Sequence, residues 1–450
     1  MNMILLSGGS GKRLWPLSND VRSKQFLHLF INEDGIYESM LQRVYRQIMS
    51  ADKNVKITIA TSRSQVSAVK NQLHDKLSIC VEPCRKDTFP AIVLAASYLK
   101  DTMGVMDDEC IIVCPVDPYV EDNYYEAVKQ LEYLVAQQTA NLTLMGIEPT
   151  CPSEKYGYIL PEDFGWVSRV KKFKEKPQAR LAERYMKEGA LWNSGVFAFR
   201  LGYLLDKAHT MIAFSGYQDL YKKYETLERI SFDYAVVEKE KRIQVMRYAG
   251  AWKDVGSWSM VAETMTETIK GKAILDEECV NTQVINELNL PILCMGCKNM
   301  FIAASHDGIL ISDKTCCDNV KPFVEKMDTD INFAEKSWGT YSVLDLQPGS
   351  MTVKLEMQKG KQMKYHSHQH RNEIWTILFG EGRVILDGKE RTVHPGDVVT
   401  IPSGRGHTII ADTELRLIEI QVGSDIRKND KIVYRQENDY GLSEGIPALV

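Results

Sequence analysis

Apolar and polar positions follow three different rhythms along this chain, and each change of rhythm marks a new part. Up to about Glu267, short β-branched runs alternate with amphipathic stretches: residues 55–60 read as a strand, 90–100 as a helix and Cys110–Pro115 as a strand. This alternation predicts an α/β domain, a mostly parallel sheet with helices on both faces, because parallel strands need a long crossover between them. From about Lys270 to Lys326 the pattern changes to short apolar runs broken by turns, at 282–285, 292–295, 300–304 and 308–312, which predicts a small β module acting as a connector. From about Ala334 the chain is rich in short strands with Gly and Pro at the turns, among them Gly360, Gly380-Glu381-Gly382, Asp387-Gly388 and Pro395-Gly396-Asp397. That spacing predicts an antiparallel barrel or jelly roll. The expected domains are therefore 1–267, 268–333 and 334–450.

Composition narrows the function classes. A chain of 450 residues exceeds what one core supports. Lys plus Arg number 55 against 60 for Asp plus Glu, a net charge of −5, so no global basic field points to nucleic acid and any phosphate binding must be local. The apolar runs fall short of the ~20 residues that span a bilayer. The N-terminus reads as a strand, not as a charged leader, so the expectation is a cytoplasmic protein with no membrane partner. Ten cysteines are too dilute for a disulfide scaffold. Cys294-x-x-Cys297 with Cys316-Cys317 imitates a zinc ribbon only loosely, since adjacent residues serve tetrahedral coordination poorly, and the group reads as buried free thiols.

The chemistry concentrates in two places. Met3-Ile4-Leu5-Leu6 opens onto Ser7-Gly8-Gly9-Ser10-Gly11-Lys12-Arg13-Leu14-Trp15-Pro16, and Ser23-Lys24-Gln25-Phe26-Leu27 comes soon after. Glycines at 8, 9 and 11 permit positive φ and an approach of backbone N–H groups to an anion. Arg13 adds a planar donor fork and Lys24 a compact charge, a combination suited to a nucleoside triphosphate. The loop lacks the Lys-Ser/Thr ending of a P-loop, and no third glycine completes a dinucleotide fingerprint. Downstream, five of the nine histidines fall between His366 and His407. His366 and His368 alternate by two and so leave one face of a strand, while Glu373 and His407 come from later strands. Three imidazoles and a carboxylate suit a divalent metal, Zn²⁺, Fe²⁺, Mn²⁺ or Co²⁺, with an open position for substrate.

The loop, with its Arg-Leu-Trp-Pro-Leu-Ser and Lys-Gln-Phe-Leu pieces, resembles the sugar-phosphate nucleotidyltransferases, and among them the mannose-1-phosphate guanylyltransferases. The resemblance continues through Val116-Asp117, Tyr156-Gly157-Tyr158-Ile159, Phe173-Lys174-Glu175-Lys176-Pro177, Trp192-Asn193-Ser194-Gly195, residues 231–238 and Trp252-Lys253-Asp254-Val255-Gly256. It implies that Gly8, Gly9, Ser10, Gly11, Lys12, Arg13, Lys24, Glu82 and Arg85 bind nucleotide. By the same resemblance Gly157, Glu175, Lys176 and Asn193 bind the sugar phosphate, and Asp117 and Asp254 hold Mg²⁺, with Arg13 and Lys24 catalytic beside them. The implied substrates are GTP and mannose 1-phosphate. Two segments depart from the family pattern: Pro118 stands where His is usual, and Phe89 interrupts the usual Asn-Thr-Ala-Pro-Ala.

The C-terminal spacing, Gly360 to His366-Ser367-His368 to Glu373 to Gly380, then Gly396 to Pro402 to His407, resembles the two cupin motifs, with Ala411 in place of the terminal Asn. Trp338-Gly339-Thr340-Tyr341, His370-Arg371-Asn372-Glu373, residues 418–423, Asp430-Lys431-Ile432-Val433 and Asp439-Tyr440-Gly441 resemble the type II phosphomannose isomerase domain. The resemblance implies a cupin metal held by His366, His368, Glu373 and His407, a role for Arg371 in catalysis or phosphate binding, and hexose 6-phosphates as substrates. It also implies a connector of left-handed β-helix type and a homodimer. Two alternatives stay open: a nucleotidyltransferase for another NTP and sugar 1-phosphate pair with an inactive or regulatory cupin, and a non-enzymatic nucleotide- and sugar-binding protein.

Overall fold

Met3, Ile4 and Leu5 are all buried, as a strand covered on both faces requires, and the Asn2–Leu6 strand lies inside a mixed sheet. The computed structural model describes the chain except Ser10, residues 74–76, 328–330, Asp425, 427–430, 435–447 and Val450, and except the side chains of Lys12, Ala448 and Leu449. The expectations placed on Ser10, the Lys12 side chain, Asp430 and residues 439–441 lie outside the described residues. The chain divides into two units, Met1–Arg13 with Ser23–Thr266, and Leu14–Arg22 with Glu267–Val450. An unbroken 1–267 domain was expected; residues 14–22 instead group with the second unit.

Among the described residues the first unit's sheet has nine strands. Ser78–Glu82, Lys56–Ser62, Asn2–Leu6 and Cys110–Pro115 run parallel, and Leu142–Ile147 pairs in parallel with Ile243–Tyr248. Leu191–Arg200 is inserted antiparallel between Cys110–Pro115 and Leu142–Ile147, an exception to the parallel pattern that local hydrophobicity does not encode. The Thr88–Asp101 helix is apolar almost all round, and Ile92 to Ala96 are buried in one cluster with Ile4, Val113 and Leu204. The amphipathic Met40–Ala51 helix begins at a capping box made by Ser39 and Gln42. Phe232 anchors residues 231–238 to this core, its ring centre 4.7 Å from Phe197 and 5.9 Å from Phe199.

In the second unit, Ile269–Lys270, Gln283–Asn286 and Met300–Ser305 stack in parallel, and Ala273–Leu275 pairs in parallel with Ile292–Cys294. Short parallel strands repeated in two small sheets form the coil of a β-helical connector. Beyond it lie two six-stranded antiparallel sheets among the described residues. One contains Ser350–Met357, Leu415–Gly423 and Arg371–Phe379; the other contains Gly382–Leu386, His407–Ala411 and His366–His368. Trp375, Val353, Leu355, Leu417 and Ile409 fill the core between them. All ten cysteines are free thiols; Cys294 and Cys317 are buried as expected, whereas Cys316 is exposed. No helix of the described residues is long and apolar enough to cross a membrane.

Truncating a fully buried ring in a close-packed core removes contacts that its neighbours cannot replace. Phe232→Ala is expected to lower the stability of the first unit by about 3–5 kcal/mol, seen as an earlier denaturant midpoint.

Candidate functional site

The glycine loop leaves the carboxyl end of the Asn2–Leu6 strand, where open α/β sheets place ligands. Its backbone is tied down by side chains. Gln25 Nε2 donates to the Ser7 carbonyl at 2.8 Å, and the Gly9 carbonyl accepts from Ser23 Oγ at 2.9 Å, Gln65 Nε2 at 3.1 Å and Arg85 Nη2 at 3.2 Å. Gly8 and Gly9 do not adopt positive φ, contrary to expectation. Space is what Gly8 provides: a Cβ there would lie 3.0 Å from Glu82 Oε1. Glu82, at the end of its strand, is buried and accepts from the Tyr224 hydroxyl at 2.9 Å. Burial pushes its carboxyl up to about 7, against the lowering effects of Tyr224 and Arg85.

Asp117 and Asp254 are brought together by a two-stranded ribbon in which Trp252–Asp254 pairs antiparallel with Pro118–Val120, Asp254 opposite Pro118. The Val255 N–H donates to the Asp117 carbonyl at 3.3 Å. Lys24 Nζ lies 2.9 Å from Asp117 Oδ2 and 3.8 Å from Asp254 Oδ1. Burial raises the Asp254 carboxyl, Lys24 opposes that, and Asp117 reinforces it. Asp254 Oδ1 is buried without a hydrogen-bond partner. A carboxylate oxygen in that state, beside a second carboxylate, fits a divalent cation. Arg13 reaches the same place, because a Cβ on Gly256 would stand 3.6 Å from its Nη1.

The remaining predicted residues of the first unit form a second constellation. Glu175 is buried and pairs with Lys176 Nζ at 2.6 Å. Lys176 has φ +42°, a strained backbone for a non-glycine residue. Gly157 is required by contact, since a Cβ would lie 2.5 Å from Glu175 Oε2. Asn193 donates from its backbone to the Gly157 carbonyl at 2.8 Å and from Nδ2 to Asp233 Oδ1 at 2.7 Å. Two contacts join this constellation to the aspartates. A Cβ on Gly195 would meet Pro115 at 3.5 Å, two residues before Asp117. The Tyr156 ring packs on Trp192 and Trp252, and Asp254 acts on it electrostatically.

In the cupin-like sheets, His366 and His407 are register partners, and the nitrogens of His366, His368 and His407 lie within 4.8 Å of one another, all buried. Glu373 arrives from the facing sheet, its Oε1 3.2 Å from His368 Nε2 and its Oε2 3.3 Å from His407 Nε2. His366 Nδ1 contacts the Lys364 carbonyl at 2.7 Å and His407 Nδ1 the Arg405 carbonyl at 2.9 Å. A carbonyl only accepts, so both Nδ1 atoms carry the proton and both Nε2 atoms present lone pairs. The His407 Nε2 lone pair therefore faces a carboxylate oxygen with no hydrogen bond between them, an arrangement that a metal ion satisfies. Burial, then the Lys431 charge, push His366 down to about 2, which keeps it neutral. Burial pushes the Glu373 carboxyl up, and the Arg371 guanidinium beside it pulls it down. Arg371 Nε donates to Glu373 Oε1 at 3.0 Å, and Nη2 lies 3.0 Å from His368 Nε2.

A sequence profile described as nucleotidyl transferase matches residues 2–271, more than half of the chain, and one described as cupin domain matches residues 353–421. The chain belongs to the nucleotidyl transferase family. It is 30% identical to the mannose-1-phosphate guanylyltransferase ManC of Salmonella typhimurium, over 97% of this chain and 98% of that protein. It is 29% identical to the alginate biosynthesis protein AlgA of Pseudomonas aeruginosa, over 99% and 98%. A solved structure titled mannose-1-phosphate geranyltransferase, from Thermus thermophilus, superposes with TM-score 0.59 at 25% identity, covering 72% of this chain and 98% of that one.

Sequence reasoning missed several residues of this nucleotidyl transferase. Ser23, Gln25 and Gln65 fasten the loop, Tyr224 holds Glu82, and Asp233 holds Asn193. Ser23, Gln25 and Asp233 lie inside the recognised segments but were given no role; Gln65 and Tyr224 carry no local signal. Glu82 and Asp233 share one consequence: burial raises each to about 7, above ordinary values of 4.5 and 3.8. The unfolded chain therefore releases these protons first, and stability declines as pH rises from about 4.5 to 7, then levels. Chemical denaturation of the wild type and Glu82→Gln between pH 5 and 8 is expected to show a smaller decline in the variant; parallel curves would contradict this assignment.

Proposed function

We infer that the first unit joins GTP and mannose 1-phosphate, giving GDP-mannose and pyrophosphate, as the names of its whole-length relatives lead one to expect. The observation that carries the reading is Lys24 set between Asp117 and Asp254 beside the glycine loop. In this reaction a phosphate oxygen of the sugar ester attacks the α-phosphorus, and the bond to the bridging oxygen of pyrophosphate breaks. The nucleophile is already an oxyanion, so the chain needs to position and neutralise charge rather than remove a proton. Lys24 and Arg13 neutralise the triphosphate, and Lys176 takes the sugar phosphate while Glu175 accepts from a sugar hydroxyl. Glu82 offers acceptor oxygens to the N–H edge of guanine. Asp117 and Asp254 would hold Mg²⁺, which when bound screens charge on the phosphates.

The cupin reading is a second activity, interconversion of mannose 6-phosphate and fructose 6-phosphate. His366, His368, His407 and Glu373 would hold its divalent ion, which supplies Lewis acidity to sugar oxygens. Arg371 holds Glu373 in place and brings a planar cation to the site, of a sign suited to an anionic substrate.

Pyrophosphate release measured across four NTPs and several sugar 1-phosphates tests the first assignment: GTP with mannose 1-phosphate is expected to be the fastest pair, and a clear preference for another pair would overturn it. Lys24→Ala and Asp117→Ala are expected to lower nucleotidyl transfer by about 10²–10³-fold while sparing isomerisation. His368→Ala, or removal of the cupin metal by chelation with Mg²⁺ restored, is expected to do the reverse. Joint loss of both activities in correctly folded variants would refute independent sites.

A further inference from the structure

Two neighbouring strands of the cupin sheets change character at the same level. Along Arg371–Phe379 the inward residues run Ile377, Trp375, Glu373 and Arg371, and along Leu415–Gly423 they run Leu417, Glu419 and Gln421. In the ladder Ile377 stands opposite Leu417, Trp375 opposite Glu419, and Glu373 opposite Gln421. Past Trp375 and Leu417, each inward side chain on these two strands is charged or an amide. Glu373 and Arg371 belong to the histidine cluster through their contacts with His368. Glu419 and Gln421 are buried as deeply, at 7% and 2% exposed. Gln421 Nε2 donates to Glu419 Oε1, while Gln421 Oε1 is buried without a hydrogen-bond partner among the described residues. Packing alone would be served better by two more leucines, since a buried carboxylate and an unmatched amide oxygen both cost stability. Such groups in a native interior point to a ligand. The register sets Glu419 diagonal to Glu373, about 7–8 Å away along the sheet, so one small molecule can touch both carboxyls. From the other sheet comes Lys431, opposite His368 in the ladder, and Arg371 and Lys431 both favour the charged form of Glu419.

We propose that Glu419, steadied by Gln421, is the catalytic proton carrier of hexose 6-phosphate isomerisation in the cupin site. The proposal rests on the isomerase reading above and supplies the group that reading lacks. Arg371 cannot give up a proton. His366 and His407 hold their Nδ1 protons on backbone carbonyls, and Glu373 is a candidate metal ligand bound to Arg371. Glu419 is the remaining carboxylate of the cluster. In the open-chain aldose its oxygen takes the proton from C2. The electron pair of that C–H bond forms the C1–C2 double bond, and the carbonyl pair moves onto O1, which takes a proton. The O2 hydroxyl then loses its proton, its bond pair forms the C2 carbonyl, and the C1–C2 pair takes the proton held by Glu419 onto C1. The proton gained at O1 equals the one lost at O2, so no oxidant or further reactant is needed, and Glu419 ends as it began.

The test uses the full chain loaded with Co²⁺, as wild type, Glu419→Gln and Glu419→Ala, with thermal unfolding and bound metal recorded for each. Glu419→Gln is expected to lower kcat for mannose 6-phosphate by about 10²-fold or more. Its KM, and its calorimetric Kd for sorbitol 6-phosphate, an alcohol that cannot isomerise, are expected to stay within about threefold. Formate is expected to restore part of the activity of Glu419→Ala, because a small carboxylate can enter the vacated space and carry the proton. In ²H₂O the wild type is expected to build solvent deuterium into C1 of fructose 6-phosphate over many turnovers. Wild-type kcat in Glu419→Gln would overturn the proposal. A Kd that rises in step with the loss of rate, or a loss of bound metal, would also overturn it, since Glu419 would then hold sugar or ion rather than a proton. Should both variants fail to fold, the wild type decides alone: hexose that gains no solvent deuterium has passed its hydrogen directly from C2 to C1, and the proposal falls. A metal-loaded wild type inert toward both hexose 6-phosphates would instead overturn the isomerase reading, and this proposal with it.

Discussion

Two carboxylates do not stay close together in a partly desolvated cleft unless a cation stands with them, and in this chain Lys24 does so for Asp117 and Asp254. The rest of the first unit can be understood as what makes that meeting possible. The carboxyl ends of two neighbouring parallel strands deliver the glycine loop and Asp117 to the same end of the sheet. A short antiparallel ribbon then folds Asp254 back across from Pro118. Aromatic packing of Tyr156 on Trp192 and Trp252 links the aspartates to the constellation of Glu175, Lys176 and Asn193. In the proposed reaction the cost of gathering like charges is offset by the cation that the two carboxylates would hold.

The histidines obey the same constraint in a different setting. Backbone carbonyls at Lys364 and Arg405 take the Nδ1 protons, which commits two Nε2 lone pairs to one small volume facing Glu373. Lone pairs and a carboxylate held in a buried site leave an electrostatic deficit that a divalent ion fills. Here the β-sandwich supplies rigidity from both sheets at once, whereas the transferase site depends on loops fastened by side chains.

How much of this could be read from the sequence depended on how local each determinant is. The alternation of strands and helices, the glycine loop and the His-x-His spacing are written in consecutive residues, and each is found where the sequence placed it. The antiparallel insertion of Leu191–Arg200 is a matter of which strand lies beside which, and its apolar pattern is the same either way. Gln65 and Tyr224 are ordinary residues on a helical turn and in a helix-rich stretch, important only because long-range folding sets them against Gly9 and Glu82. The glycines of the loop were legible as glycines but not in their purpose: Gly8 provides room for Glu82, not a left-handed turn. The departure of residues 14–22 was hidden for a similar reason, since Trp15, Asn19 and Arg22 find their partners near Gly308, Asp307 and Glu287, far along the chain.

The meeting of Asp117, Asp254 and Lys24 beside the glycine loop is thus the feature on which the proposed nucleotidyl transfer rests. The most direct measurement is diffraction from crystals grown with Mn²⁺ and GTP, using the anomalous signal to locate the ion. The account predicts manganese bound by the carboxylates of Asp117 and Asp254, with the triphosphate lying along residues 8–13. An ion bound elsewhere, or a triphosphate seated away from that loop, would contradict it.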